Sequence, residues 1–271
     1  MDRIEKLKAL KATPINPESD IALINQYAHK ELTPEDVFCF PVHLCDNDVD
    51  RDTERFTKGS LDKLAKLFLG KSGLIDHRWS AEKQVARLYR CETEEMSEKN
   101  SLGEQLYVLR GSAYMLRNDA NTPLIEAIEG GIVKEVSVGC RMGECACSIC
   151  GKKLKLDWCT WTYQCETGHI KGQEYDGKLC VGELKDPQEA YEFSFVAVPS
   201  QRGAGVTKGA ENLNDAVELF KTSDIATVKA EDLKAIGQKI QLALTDNAER
   251  NERAKILAEN KKYTKEQNQN G

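Results

Sequence analysis

The hydrophobic period changes several times along the chain, and each change predicts an element. Residues 1 to about 34 read as a leader of short helices that pack against a larger body. Ser19 is placed to cap Asp20-Ile-Ala-Leu-Ile-Asn-Gln-Tyr27, and Thr33-Pro34-Glu35 has the composition of a helix start. The run Val37-Phe-Cys-Phe-Pro-Val-His-Leu44 is rich in strand formers and predicts a first strand, with Pro41 pointing to an edge or a bulge. Ser60 is expected to cap a helix that gathers Leu61, Leu64, Ala65 and Phe68 on one face and stops at Gly70. Strands are expected around 84–91 and 105–115, and a helix from Thr122-Pro123 to Gly130-Gly131. From Tyr191 to Val198, Tyr191, Phe193 and Phe195 alternate with Glu192 and Ser194 before Pro199 stops the strand. Past a polar boundary after Val206, Leu233, Ile236, Ile240 and Leu244 recur at three and four residues and predict an amphipathic helix in the tail.

Two segments carry candidate chemistry. In a strand expected from Ile132 to Gly139, the period of two sets Val136 and Val138 on one face and Ser137 on the other. Burying the valines aims the serine away from the core, which suits a nucleophile and equally suits an ordinary surface serine. Residues 140 to about 185 then break all periodicity and read as an inserted module. Cys147-Ser-Ile-Cys150-Gly can present two thiolates from one tight turn, and Cys165-Glu-Thr-Gly-His169 supplies a second pair. Three thiolates and one imidazole suit tetrahedral zinc, and a full set of four protein ligands leaves no position for water, so the ion is expected to be structural. Cys140, Cys145, Cys159 and Cys180 are surplus, and Cys145 or Cys159 can replace one of the four. Trp158, Trp161 and Tyr163 are expected to cover the site.

Composition narrows the classes. Hydrophobic residues at 40% and charged residues at 30% supply a core and argue against wholesale disorder. A net charge of −6 without a basic stripe argues against nucleic acid as a general partner and favours another protein. Met1-Asp-Arg-Ile-Glu-Lys-Leu-Lys8 has no apolar run long enough for a signal peptide, and no window reaches the length of a membrane span. The expected compartment is therefore a reducing cytoplasm, where ten cysteines are better read as metal ligands and buried thiols than as disulfides.

Four histidines are the candidates for a neutral-pH base. His29 lies in the helical leader, His43 lies on the first strand, and His169 is better used as a ligand, which leaves His77, a residue that by itself reads equally as an ordinary core histidine. The stretches Leu44-Cys-Asp-Asn-Asp-Val-Asp-Arg-Asp-Thr-Glu-Arg-Phe-Thr57, Leu74-Ile-Asp-His77, Glu135-Val-Ser-Val-Gly139 and Tyr191-Glu-Phe-Ser-Phe-Val-Ala-Val-Pro199 follow one another in the order and spacing of the motifs of tailed-bacteriophage prohead serine proteases. Over about residues 20 to 206 the chain resembles that family, whose fold is similar to herpesvirus assemblins. The resemblance implies a nucleophile at Ser137, a general base at His77 and a third member that orients the histidine at Glu192, with Asp76 as a substitute.

It also implies an α+β fold: a closed, mostly antiparallel β-barrel flanked by helices, carrying the zinc-ribbon-like insertion. The expected layout is a helical leader over 1–34, a protease domain over 35–206 with its cysteine-rich insertion at 140–185, and a linker with a helical tail over 207–271. The implied activity is cleavage of capsid or scaffold protein, and of the chain itself, inside the immature capsid in the host cytoplasm. Self-association is a further implied partnership. Three alternatives stand beside it: a non-catalytic capsid assembly or scaffold protein, a zinc-ribbon nucleic-acid adaptor, and a Cys140 nucleophile paired with His77.

Overall fold

A computed structural model describes residues 17–207. The amphipathic helix expected around Leu233 to Leu244 and the first sixteen residues of the leader lie outside these described residues. The elements in chain order are α1 (Pro17–Ile24), β1 (Val37–Asp46), β2 (Glu54–Phe56), α2 (Lys58–Phe68), β3 (Ser72–Ile75), β4 (Ala86–Lys99), β5 (Gln105–Leu116), α3 (Thr122–Glu129) and β6 (Val136–Cys147). Two short ribbons follow, β7 (Lys155–Asp157) with β8 (Thr162–Gln164) and β9 (Glu174–Tyr175) with β10 (Lys178–Leu179). The described chain closes with β11 (Gly182–Phe195) and β12 (Gly205–Val206). No described helix is long and apolar enough to cross a membrane.

The expected barrel is corrected. Eight strands form one mixed sheet in the order β12-β1-β5-β4-β3-β11-β2, with β6 paired to β11, and the sheet does not close. The reason lies in β11, which is long enough to take two short neighbours in parallel, β2 along Gly182–Leu184 and β3 along Glu192–Phe195, while β6 runs antiparallel along its whole length. Between the β12 flank and the approach to β6 there is an isolated bridge, Glu135 to Gly205, in place of a ladder. Alternation states which face a side chain takes, not which strand its backbone bonds or in which direction.

One face of the sheet holds the core. Leu61, Leu64 and Phe68 of α2, all fully buried, meet Leu44, Leu88, Leu109, Val136, Phe193 and Phe195. The helix is capped three residues earlier than expected: the Thr57 hydroxyl accepts from the Ser60 amide at 3.2 Å, and Ser60 lies inside the first turn. Gly70 follows the helix at φ +80°, where a left-handed residue ends it as expected. In the leader, Asp20 receives Tyr89 Oη at 2.8 Å and lies 2.9 Å from an Arg90 guanidinium nitrogen, which fixes α1 against β4.

The β6–β11 ribbon contains the irregularity that matters most. Ala190 pairs with Cys140 and Glu192 with Gly139, so Tyr191 has no counterpart and forms a β-bulge. Ala190 and Phe193 both join the core although they stand three apart, a spacing that strict alternation forbids. The expectation that Tyr191 shares a face with Phe193 and Phe195 is therefore corrected. Its ring meets Trp79 instead, at 5.2 Å between centroids.

Candidate functional site

At the end of β3 the chain reverses through Ile75-Asp76-His77-Arg78, closed by the Arg78 amide on the Ile75 carbonyl at 3.0 Å. Asp76 and His77 occupy φ +54° and +51°, left-handed conformations in which a non-glycine residue costs on the order of 1–3 kcal/mol. Contacts from β11 hold the turn: the Asp76 amide donates to the Phe195 carbonyl at 3.0 Å, and the His77 amide donates to Ser194 Oγ at 3.1 Å.

The His77 ring leaves this turn toward β11. Its Nδ1 lies 2.8 Å from Glu192 Oε1, a contact across 115 positions of sequence, and the other carboxylate oxygen accepts from Ser194 Oγ at 2.5 Å. The ring is 42% exposed and the carboxylate only 4%, so a solvent-facing imidazole is held by a buried acid. Asp76, the substitute third member, is exposed and has no contact with the ring comparable to that of Glu192.

Ser137 pairs directly with Ser194 across the β6–β11 ladder, which places the two side chains on one face with Cβ atoms about 4.5–5.5 Å apart. Glu192, two residues along β11, shares that face. Val136 and Val138 pack into the core opposite, so Ser137 points away from it, half-exposed, as expected. The three residues singled out in the sequence are thus gathered over three neighbouring strands, β3, β11 and β6. His77 is hydrogen-bonded to Glu192 and not to Ser137.

Gly139 stands opposite Glu192, and a Cβ there would collide with Glu192 Oε1. Gly139→Ala is accordingly expected to cost about 1–3 kcal/mol of stability, read from the urea unfolding midpoint. An unchanged midpoint would mean that the carboxylate is not pinned against this glycine.

Cys140 is not placed for nucleophilic chemistry. It packs against the core, and burial pushes its thiol up to about 11. His43 is set aside as well: its Nε2 lies 3.0 Å from Asp46 Oδ2 and its side chain is 13% exposed. Beside Glu192 runs a cleft of about 390 Å³ bordered by Lys71, Trp79, Gln84, Glu189 and Tyr191. Sequence reasoning missed Ser194 and the Trp79–Tyr191 wall. For Ser194 the available signal was its period-two relation to Glu192.

The second cluster lies in the module between β6 and β11. One donor atom from each of Cys147, Cys150, Cys165 and His169 falls within 4.8 Å of all the others. Cys150 and Cys165 sulfurs are 3.6 Å apart, and Cys147 Sγ is 3.7 Å from His169 Nδ1. Tetrahedral zinc with bonds of about 2.0–2.3 Å places its ligand atoms roughly 3.5–3.8 Å apart, so the cluster fits a metal after slight contraction. The Thr167 hydroxyl, 3.1 Å from Cys150 Sγ, holds that thiol down at about 7, which favours the thiolate a metal needs.

Neither Cys145 nor Cys159 belongs to this cluster; Cys159 is exposed on the β7–β8 hairpin. The extra sulfur nearby is Cys180, buried and 3.5 Å from Cys147 Sγ. The aromatic cover differs from expectation too. Trp158 and Trp161 are 70% and 73% exposed and meet each other edge-on, whereas the ring against His169 is that of Tyr175, at 4.6 Å.

No protein family, no curated protein and no solved structure matches this chain.

Proposed function

We propose that the chain is a serine endopeptidase in which Ser137 attacks, His77 takes its proton and Glu192 orients the base. The observation that carries this reading is the 2.8 Å contact between His77 Nδ1 and a carboxylate buried beneath it, with Ser137 on the same face of the adjacent ladder. A serine hydroxyl is too weak an acid to attack a peptide carbonyl unaided near neutral pH. With Nδ1–H donated to Glu192, the Nε2 lone pair is left to accept the Ser137 proton as the Oγ–carbonyl bond forms. The imidazolium then returns that proton to the leaving amine as the C–N bond breaks, and water releases the acyl group by the same route. Glu192 keeps its hydrogen bond to Nδ1 and stabilises the imidazolium.

The resemblance to prohead proteases supplies the substrate class: capsid and scaffold proteins, and the chain itself, processed inside an immature capsid in the host cytoplasm. In this reading the set Cys147, Cys150, Cys165 and His169 holds a structural zinc and takes no part in the chemistry.

A fluorophosphonate probe tests the proposal. One equivalent is expected to bond to Ser137, located by peptide mass mapping, and co-expression with the cognate capsid protein is expected to yield processed chains. Labelling elsewhere, or unprocessed capsid protein with wild type, would reject the protease and leave the non-catalytic scaffold protein as the better account.

A further inference from the structure

We infer that Ser194 is the positioning residue of this site, locking the histidine turn and the orienting carboxylate into one closed ring of hydrogen bonds. The inference rests on the Ser137–His77–Glu192 reading. Starting from the His77 amide, the ring runs to Ser194 Oγ at 3.1 Å, from that hydroxyl to Glu192 Oε2 at 2.5 Å, through the carboxylate, and from Oε1 to His77 Nδ1 at 2.8 Å. One histidine is therefore held at its backbone and at its ring by partners two residues apart on a single strand.

Each half of this arrangement needs the other. Two consecutive left-handed, non-glycine residues form a turn with alternatives of lower energy, and the Ser194 hydroxyl accepts the amide of the second one. The carboxylate has little solvent to satisfy its second oxygen, and the same hydroxyl donates to it. Ser194 is itself fully buried, which denies it to a substrate and separates it from the half-exposed Ser137 opposite. A single hydroxyl serving as acceptor for one partner and donor to the other uses both capacities of serine. Alanine removes both bonds at once; threonine retains the hydroxyl and suits a strand.

Ser194→Ala in the full chain is expected still to fold, with a lowered melting midpoint because a buried carboxylate oxygen loses its donor, and to lower kcat about 10- to 100-fold with KM within about twofold, since hydrogen bonds to charged groups are of that size. Ser194→Thr is expected to recover most of the loss. The readout independent of turnover is a downfield Nδ1 proton resonance of His77, expected in wild type and in Ser137→Ala and expected to broaden or vanish in Ser194→Ala. Were Ser194→Ala to retain both that resonance and the wild-type kcat, the positioning role would be wrong. Were wild type inactive while the resonance still depended on Ser194, the protease reading would fail and the hydrogen-bonded ring would stand.

Discussion

Ser137→Ala is expected to lower kcat by about 10⁶-fold while KM and the unfolding midpoint stay near wild type, because nucleophile and base act as one unit and losing either removes the covalent route. His77→Ala is expected to match it, and the double variant to be no worse than either alone. Glu192→Gln separates the roles: nearly isosteric, it keeps a group beside the ring but presents it with the wrong tautomer partner, for a loss of about 10⁴-fold. Steady-state kinetics on a capsid-protein fragment, run with thermal melts to verify folding, checks the series. Equal, small losses for all three substitutions would show that the cluster supports the fold and performs no acyl transfer.

Removing metal is expected to unfold the module between β6 and β11 and leave the sheet standing. The module's own core comprises Cys147, Leu154, Cys165 and Cys180, so three of its four buried residues are cysteines, and two of those belong to the proposed ligand set. So little apolar surface does not offset the conformational entropy of ordering the segment. Structural zinc contributes apparent binding free energies of about 10–16 kcal/mol in small domains. The sheet has an independent core on Phe68, Leu88, Val136 and Phe193. Strong chelator, or Cys150→Ser, is therefore expected to release about one zinc per chain, to expose the cluster thiols to titration (three with chelator, two in the variant), and to open residues 148–181 to limited proteolysis. A chelated protein with the same reactive thiols and the same proteolytic map would exclude metal from this role.

What could be read from the sequence depended on how locally each feature is determined. The orientation of Ser137 follows from two flanking valines, and the Cys147/Cys150 pair from one turn, so both were legible. The cap of α2 was misplaced by one hydroxyl residue: Thr57 and Ser60 contact each other at 2.9 Å, and either satisfies the pattern. The barrel was wrong because β2 and β3, three and four residues long, are too short to show a period, and their parallel pairing with β11 is set by tertiary contacts. Cys180 was counted as surplus because only folding brings it beside Cys147. Likewise, nothing along the chain joins the His77 turn to Ser194, since that bond needs β3 beside the C-terminal end of β11.

The unmatched residue at Tyr191 makes the ribbon behave like a text with one inserted letter. Just before it the even-numbered Ala190 faces inward, and after it the odd-numbered Phe193 and Phe195 do. Parity, more than residue identity, therefore decides that an acid at 192 lies outside the apolar interior. Were Tyr191 paired in regular register instead of bulged, alternation from Ala190 would turn Glu192 into the oil and offer a phenylalanine to the imidazole.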